Sequence, residues 1–214
     1  MEQGSPEWKL ARLGCVTASC FADVMTNGRG NSPSKTAQTY MLKKIGEILT
    51  GCPSDEIFAK QMEWGKKHEP SARAKYVWDR GVTLSEVGFV KHPKLPRVGA
   101  SPDALVVDST GAIVGGIEIK CPWNTSVHLG TLMSAECPSE YEWQIQGNMA
   151  CSGTGWWDFV SFDPRMPDGA DLVIVRVERD DEMIRDLEQK LSQFVGQMEI
   201  KLAKIKAGLE SGGN

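Results

Sequence analysis

The chain lacks the features that mark several large classes of protein. None of its six cysteines forms a CxxC pair, so neither a zinc ribbon nor a disulfide framework is predicted. No apolar run approaches the roughly 20 residues that a membrane-spanning helix needs. The first residues, MEQGSPEWK, have no basic head followed by an apolar core. We therefore expect no signal peptide, no membrane association and a cytoplasmic location.

Positive charge is also scarce for a protein that would hold nucleic acid through a broadly basic surface. The 214 residues carry 24 Lys and Arg against 28 Asp and Glu, which gives a formal net charge of −4. An acidic, metal-binding site inside a locally basic groove is compatible with this balance. Hydrophobic residues make up 41% of the chain, which is typical of a folded protein with a sizeable core.

Hydrophobic periodicity predicts a single α/β domain over residues 1–214, with a central mixed β-sheet flanked by helices. Helical patterns cover about 5–13, 17–25, 34–49 and 55–79, the last kinked or divided at Pro70. Strands are predicted at 82–90, 97–107, 112–120, 156–162 and 172–177, and a helix capped by Ser139 precedes the last two. From Asp181 onward, apolar residues recur every three or four positions, which indicates a long amphipathic C-terminal helix.

The stretch SPDALVVDSTGAIVGGIEIK, residues 101–120, places charges at alternate positions of an otherwise apolar strand. On a hairpin, the carboxylates of Asp103 and Glu118 and the main-chain carbonyl of Ile119 can converge on one point, and Mg²⁺ prefers such oxygen ligands. Lys120 shares the face of Glu118, so it can orient or deprotonate a water bound to that metal. The competing interpretation is that Glu118 and Lys120 form the solvent face of a half-buried strand.

Further motifs surround this stretch in a fixed order along most of the chain. They are Trp8–Gly14 with Thr17–Ser19, Trp64–Lys66 with Glu69 and Ala72–Arg73, Ser101–Asp103, Glu118–Pro122, Tyr141 with Gln144 and Gln146, and Asp163–Met166. With these motifs the chain resembles the phage lambda exonuclease family of viral recombinases, of the YqaJ type, within the PD-(D/E)XK nuclease superfamily. The resemblance implies a restriction-endonuclease-like core with a helical N-terminal region and a long C-terminal helix.

The resemblance also implies a function. Enzymes of this family digest one strand of linear double-stranded DNA from 5′ to 3′, releasing 5′-mononucleotides and leaving a 3′ single-stranded tail for recombination by strand annealing. We therefore expect two Mg²⁺ ions, with Mn²⁺ as a substitute, a homotrimeric ring, and a phage-type single-strand annealing protein as partner. Two alternatives stay open: an endonuclease of the same superfamily, and a non-catalytic scaffold that binds DNA ends.

Site residues follow from the matching motif positions. The resemblance implies that the first metal ion is held by Asp103, Glu118 and the Ile119 carbonyl, that Glu69 contributes to the second, and that Lys120 acts on the water. The 5′-terminal phosphate is expected at Arg12, Ser19, Ser101 and Gln144, and DNA at Trp8, Arg29 and Tyr141. Competing interpretations are that Glu69 pairs only with Arg73, four residues on, that Trp8 packs its helix onto the core, and that Arg12, Tyr141 and Gln144 are ordinary surface residues.

Overall fold

The computed structural model describes residues 1–28, 33–54 and 60–211. Its strands are β1 (Val16–Thr17), β2 (Thr83–Ser85), β3 (Val90–Lys91), β4 (Val98–Ala100), β5 (Ala104–Val107), β6 (Ile113–Lys120), β7 (Trp156–Phe162) and β8 (Leu172–Glu178). Its helices are α1 (Pro6–Ala11), α2 (Phe21–Met25), α3 (Lys35–Thr50), α4 (Lys60–Arg80), α5 (Thr125–Ser134), α6 (Ser139–Ser152) and α7 (Asp181–Ser211). A short 3₁₀ turn, Ala18–Cys20, precedes α2.

The strands form two sheets. A five-stranded sheet has the order β2-β5-β6-β7-β8, and a three-stranded sheet has the order β1-β4-β3. In the larger sheet β6 and β7 run parallel while the other neighbours are antiparallel, so the sheet is mixed as predicted. The predicted α/β fold with a long C-terminal helix is confirmed, whereas the second sheet was not predicted. That residues 1–214 form one domain stays a prediction.

Helices cover both faces of the larger sheet. Ile117 and Ile119 pack with Ala72 and Tyr76 of α4 in one core cluster. On the opposite face, Phe159 of β7 packs with Ile145 of α6 in another cluster. Since side chains alternate along a strand, Glu118, which lies between the two isoleucines, faces α6 rather than solvent.

A third core cluster joins the N-terminal helices, the smaller sheet and α7. Within it α2 comes unusually close to α6, because Gly147 leaves room for the ring of Phe21. A Cβ atom at Gly147 would lie 2.4 Å from that ring. This close approach brings the segment around Ser19 next to the helix that covers the larger sheet.

Local predictions were wrong at four places. The strand predicted for 82–90 divides into β2 and β3, which lie in different sheets. Residues 55–59 of the helix predicted for 55–79 lie outside the described residues, and the helix, predicted to be kinked or divided at Pro70, is not divided there. The proline removes one backbone hydrogen bond, but burial of Ala72 and Tyr76 against the sheet keeps the following turns in place. The strand predicted for 97–107 divides at Ser101–Asp103, and its halves, β4 and β5, pair in different sheets. Helix α6 has Pro138 rather than Ser139 at its N-cap.

Among the described ranges, no helix combines the length and the apolar character needed to cross a membrane.

Candidate active site

Three carboxyl groups, those of Glu69, Asp103 and Glu118, lie near one another at one end of the larger sheet. Ala104 of β5 is paired with Ile117 of β6, and continuing this register by one residue sets Asp103 beside Glu118. Glu69 comes from α4 on the other face of the sheet. The hairpin of β5 and β6 therefore contributes two acidic groups, and α4 contributes the third, to one region of the sheet.

Glu118 is buried, with only 2% of its surface exposed. Its Oε1 accepts hydrogen bonds from Lys120 Nζ at 2.7 Å and Gln144 Nε2 at 2.6 Å, and its Oε2 accepts one from Asn148 Nδ2 at 3.1 Å. Burial of a carboxylate is costly unless it is paired and hydrogen-bonded, and these three donors provide that compensation. The solvent-face interpretation of Glu118 is therefore wrong.

Asp103 follows the proline that separates the two sheets. Its Oδ2 accepts a hydrogen bond from the main-chain N–H of Ile119 at 2.6 Å. Burial raises the pKa of Asp103 well above its ordinary value, and the negative charges of Glu118 and Glu69 raise it further. The site thus carries more negative charge than the nearby cations offset.

Glu69 has two sets of neighbours. Its Oε1 accepts a hydrogen bond from Arg73 Nη2 at 2.6 Å, so the pairing suggested by the four-residue spacing exists. The same guanidinium contacts Glu86 through Nη1 at 2.6 Å. Burial nevertheless raises the pKa of Glu69, and Glu118 adds to that rise against the lowering effect of Arg73. Glu69 therefore pairs with Arg73 and also faces the acidic cluster.

Lys120 is a second cation in contact with the cluster. Burial alone would lower its pKa, but the charges of Glu118 and Asp103 raise it above the ordinary value. The ammonium also lies 4.9 Å from the centre of the Tyr141 ring. Lys120 is accordingly held as a hydrogen-bond donor that faces the carboxylates.

Helix α6 presents a polar face to the strand that carries Glu118 and Lys120. Tyr141, Gln144 and Asn148 are spaced by three and four residues, so they share one side of the helix. Asn148 was missed by the sequence interpretation, although its spacing of four from Gln144 is the signal that identifies it. Gln144, which is expected to bind the phosphate, donates one amide N–H to Glu118.

The residues expected to bind phosphate lie beside the acidic cluster. Arg12 Nη1 is 3.4 Å from Ser101 Oγ, and the same hydroxyl accepts a hydrogen bond from the Trp8 indole at 3.0 Å. The Trp8 indole also donates to the Gly88 carbonyl at 3.1 Å, and the Arg12 guanidinium covers the Trp8 ring at 4.0 Å. Ser19 is exposed next to them. The two serines and the arginine come from separate elements and meet only in the folded chain.

One cleft of about 790 Å³ joins these groups. Its lining includes every site residue predicted from the sequence apart from Arg29, namely Trp8, Arg12, Ser19, Glu69, Ser101, Asp103, Glu118, Ile119, Lys120, Tyr141 and Gln144. Arg29 lies outside the described residues.

The motif Asp163–Met166 holds a segment that lines this cleft. Arg165 donates to both carboxylate oxygens of Asp163, at 2.7 and 2.8 Å. It also donates to the main-chain carbonyls of Trp123 at 3.0 Å and Pro122 at 3.2 Å. The arginine thereby anchors the segment that directly follows Lys120.

This anchor predicts a pH-dependent stability. Burial alone would raise the pKa of Asp163, but hydrogen bonds from Arg165 lower it to about 2. Because the folded pKa lies below the unfolded value of about 3.9, the group contributes about 2 kcal/mol above pH ~4, and this is lost as the pH falls toward 2. In urea unfolding, Asp163→Asn is expected to be less stable than the natural protein at pH 7, with a gap that narrows below pH ~4.

The exposed Asp168 offers a matched control, since its side chain makes only a 3.6 Å contact with Lys75. Asp168→Asn should show a small gap at every pH. A gap for Asp163→Asn that stayed constant from pH 7 to pH 3 would show that its ionisation does not contribute as described.

The donor set at the cleft fits a hard divalent cation. Asp103 and Glu118 offer carboxylate oxygens, Ile119 offers a main-chain carbonyl, and the raised pKa of Asp103 marks a shortage of positive charge. Across the part of the chain that the structure describes, no three His, Cys, Asp or Glu side chains form a ready-made metal-binding group. A set of two carboxylates and one carbonyl does not require such a group, because Mg²⁺ keeps several waters.

A mixed sheet with Asp103 directly before one strand and Glu118 and Lys120 on the next, beside Arg12 and two serines, defines the class of lambda exonuclease-like nucleases. The chain belongs to the family of the YqaJ-like viral recombinase domain, whose model matches residues 7–155.

Solved structures agree with this assignment. An alkaline exonuclease (LHK-Exo) from Laribacter hongkongensis is 40% identical, with a TM-score of 0.87 over 97% of this chain and 99% of that one. A structure of LHK-Exo in complex with dAMP is 41% identical over the same shares. A phage-related exonuclease from Haemophilus somnus 129PT shares the fold at 16% identity, with a TM-score of 0.67 over 89% of this chain and 96% of that one.

An uncharacterized protein of Acanthamoeba polyphaga mimivirus is 28% identical over 168 residues, which is 74% of this chain. The match spans only 29% of the length of the mimivirus protein.

Proposed function

We propose that this protein is a Mg²⁺-dependent exonuclease that digests one strand of linear double-stranded DNA from 5′ to 3′. Its products are 5′-mononucleotides and a 3′ single-stranded tail for recombination by strand annealing. The observation that supports this most directly is the shared cleft, in which acidic residues suited to Mg²⁺ lie beside an arginine and serines suited to phosphate. The complex of the 41% identical LHK-Exo with dAMP, a mononucleotide, supports the same substrate class.

The metal ions would be held by oxygen ligands. Asp103, Glu118 and the Ile119 carbonyl would bind the first Mg²⁺, with Mn²⁺ as a substitute, and Glu69 would contribute to the second. Bound in this way, the ions would stabilise negative charge on the attacking and leaving oxygens of an in-line displacement, and they would offset the repulsion between an acidic protein and its phosphate-rich substrate.

The chain's own residues orient the reactants. The Lys120 ammonium, held 2.7 Å from Glu118 Oε1, donates a hydrogen bond to the attacking water and fixes its position. Arg12, Ser19 and Ser101 bind the 5′-terminal phosphate, with the remaining amide N–H of Gln144, and Trp8, Arg29 and Tyr141 contact the DNA. With the 5′-terminal phosphate bound beside the carboxylates, the phosphodiester bond after the first nucleotide is the one that breaks.

Digestion of labelled DNA tests the proposal. Linear duplexes labelled at either end and closed circular duplexes are incubated with Mg²⁺ or with EDTA. We expect Mg²⁺-dependent release of mononucleotides that carry the 5′-end label. The 3′-end label should stay on long strands, and the circles should stay intact. Cleavage of the circles would favour the endonuclease, and metal-independent end binding without product would favour the non-catalytic scaffold.

Arg12 provides a test of phosphate recognition. Hydrogen bonds to charged groups contribute about 1.5–3 kcal/mol, so Arg12→Ala is expected to slow digestion from 5′-phosphate ends about 10- to 100-fold. Digestion from 5′-hydroxyl ends should change little, because that substrate lacks the group that Arg12 binds. Initial rates on the two kinds of end are the measurement.

Arg12→Lys and Arg80→Ala are the controls for this experiment. Lysine retains the charge but not the planar fork, so an intermediate loss is expected. Arg80 is the last residue of α4 and lines a separate cavity, so its removal should leave the ratio of rates unchanged. An equal loss on both kinds of end in Arg12→Ala would contradict phosphate recognition.

The proposal includes two partners and a location. Three copies form a closed ring around the DNA, which keeps the enzyme on its substrate, and a phage-type single-strand annealing protein coats the tail in the cytoplasm. A solution mass near the 23.5 kDa of one chain would contradict the ring. Co-purification with a phage-type single-strand annealing protein checks the second contact.

A further inference from the structure

The two walls of the cleft differ in chemistry. One wall carries Arg12, Ser19 and Ser101, which suit phosphate. A second wall, formed by the segment after β6 and the start of α5, carries the apolar residues Pro122, Trp123 and Val127. Trp123 is 48% exposed and Val127 is 45% exposed, so both present surface to the cleft. A substrate bound by its phosphate would place its apolar part against this wall.

Trp123 is held firmly although half of its surface is open. Its carbonyl accepts a hydrogen bond from Arg165, and its ring meets the Trp64 ring edge-on, with centroids 5.6 Å apart. The Arg165 guanidinium in turn covers the Trp64 ring at 4.7 Å and is fixed by the buried Asp163. A flat aromatic surface that is ordered before binding loses little conformational entropy when a ligand stacks on it.

Trp8, one of the two aromatic residues of the cleft with a predicted DNA contact, is engaged differently. Its indole N–H is shared between Gly88 and Ser101, and one face of its ring is covered by Arg12. Trp123 is 48% exposed, whereas Trp8 is only partly exposed. Of the two tryptophans, Trp123 offers the more accessible ring face.

We infer that Trp123 is a stacking platform for an unpaired base of the strand that is being digested. The inference rests on the proposed function, because it takes the occupant of the cleft to be DNA. Aromatic faces stack on every base, so this contact supports digestion that is independent of sequence. It also gives a function to Trp64 and Arg165, which contact Trp123, and to Asp163, which fixes Arg165.

A protein–DNA double-mutant cycle tests the inference. Binding of 5′-phosphorylated duplexes with a frayed end is measured by fluorescence anisotropy in the inactive Asp103→Asn background, with Mg²⁺ present. Trp123→Ala and Trp123→Phe are compared, and Trp78→Ala serves as the matched control. Trp78 is 84% exposed but lies in a different cavity. The DNA carries an abasic site at the first, second or third nucleotide, or none.

Trp123→Ala is expected to weaken binding of intact ends about 5- to 150-fold, which corresponds to about 1–3 kcal/mol for one stacked base. Trp123→Phe should retain most of the affinity, and Trp78→Ala all of it. At one abasic position the penalty of Trp123→Ala should disappear, because the stacking partner is already missing. A merely structural tryptophan would show the same penalty on every DNA.

The inference is overturned if the penalty is equal for intact and abasic ends, or if Trp78→Ala causes the same loss. Parallel titrations of the parent protein with 5′-hydroxyl duplexes give its preference for 5′-phosphate ends, which reports separately on the proposed function. Restoration of the affinity by phenylalanine distinguishes loss of stacking from a folding defect in the alanine variant.

Discussion

Asp103→Asn is expected to lower Mg²⁺-dependent nucleotide release at least about 1,000-fold, because it removes the carboxylate that no other residue replaces at the first metal site. Asparagine retains an oxygen that accepts the N–H of Ile119, which Asp103 now binds at 2.6 Å. The local backbone should therefore keep its conformation. Initial rates on linear duplex DNA give the activity, and calorimetric titration with Mn²⁺ gives the metal affinity, which should fall in parallel.

The same substitution is expected to leave the fold as stable as before or more stable. The pKa of Asp103 is raised by burial and by two neighbouring carboxylates, so its charged form is unfavourable in the folded, metal-free protein at neutral pH. A neutral amide removes that cost, and the midpoint of thermal unfolding in EDTA should not fall. This opposition of stability and activity is expected where charges are gathered for a ligand.

Asp108→Asn is the matched control for this prediction. Asp108 lies in the turn of the same hairpin, where its Oδ1 accepts main-chain hydrogen bonds from Thr110 and Ala112 that an asparagine oxygen also accepts. Activity should be unchanged. Asp103→Asn with natural activity, or with natural affinity for Mn²⁺, would refute the assignment of Asp103 as a ligand.

Lys120→Met is expected to slow digestion by about 100- to 10,000-fold, the range for a residue that acts directly on a transferred proton or its water. It should also destabilise the fold, because Glu118 is buried and would lose its only cationic partner among the contacts described, keeping the amides of Gln144 and Asn148. Single-turnover rates give the first effect, and urea unfolding at pH 7 gives the second.

Lys120→Arg separates the two effects. Arginine retains the positive charge beside Glu118, so stability should be largely restored. Its rigid, larger head group cannot place a donor where the ammonium lies, so the rate should remain low. An arginine variant with natural activity would show that Lys120 contributes only its charge.

Part of this site could be predicted because it depends on local geometry. Side chains alternate along a strand, so Glu118 and Lys120 had to share one face whatever surrounded them. The hairpin turn at 108–111 is equally local, and it sets Asp103 on the strand opposite Glu118. The family motifs extended this to the residues expected to bind phosphate, which the folded chain brings into the same cleft.

Other features depended on contacts between distant segments. Pro70 suggests a helix break, yet α4 continues because its later turns are buried against the sheet, and this places Glu69 at the cluster. Ser101–Asp103 reads as part of one strand, yet it links two sheets. Asn148 and Trp123 belong to no motif that the sequence interpretation used, since their positions are set by Glu118 and by Arg165.

The sequence by itself determined the class of fold, the hairpin and the chemistry of its three charged residues, because these follow from side-chain period, turn residues and motif order. Only the tertiary structure decided that Glu118 is buried under α6 rather than exposed to water, and that one wall of the cleft carries apolar residues while another carries Arg12, Ser19 and Ser101. The reason is physical: burial and facing surfaces are set by which elements pack together, and alternating polarity on one strand is compatible with either a wet face or a covered one.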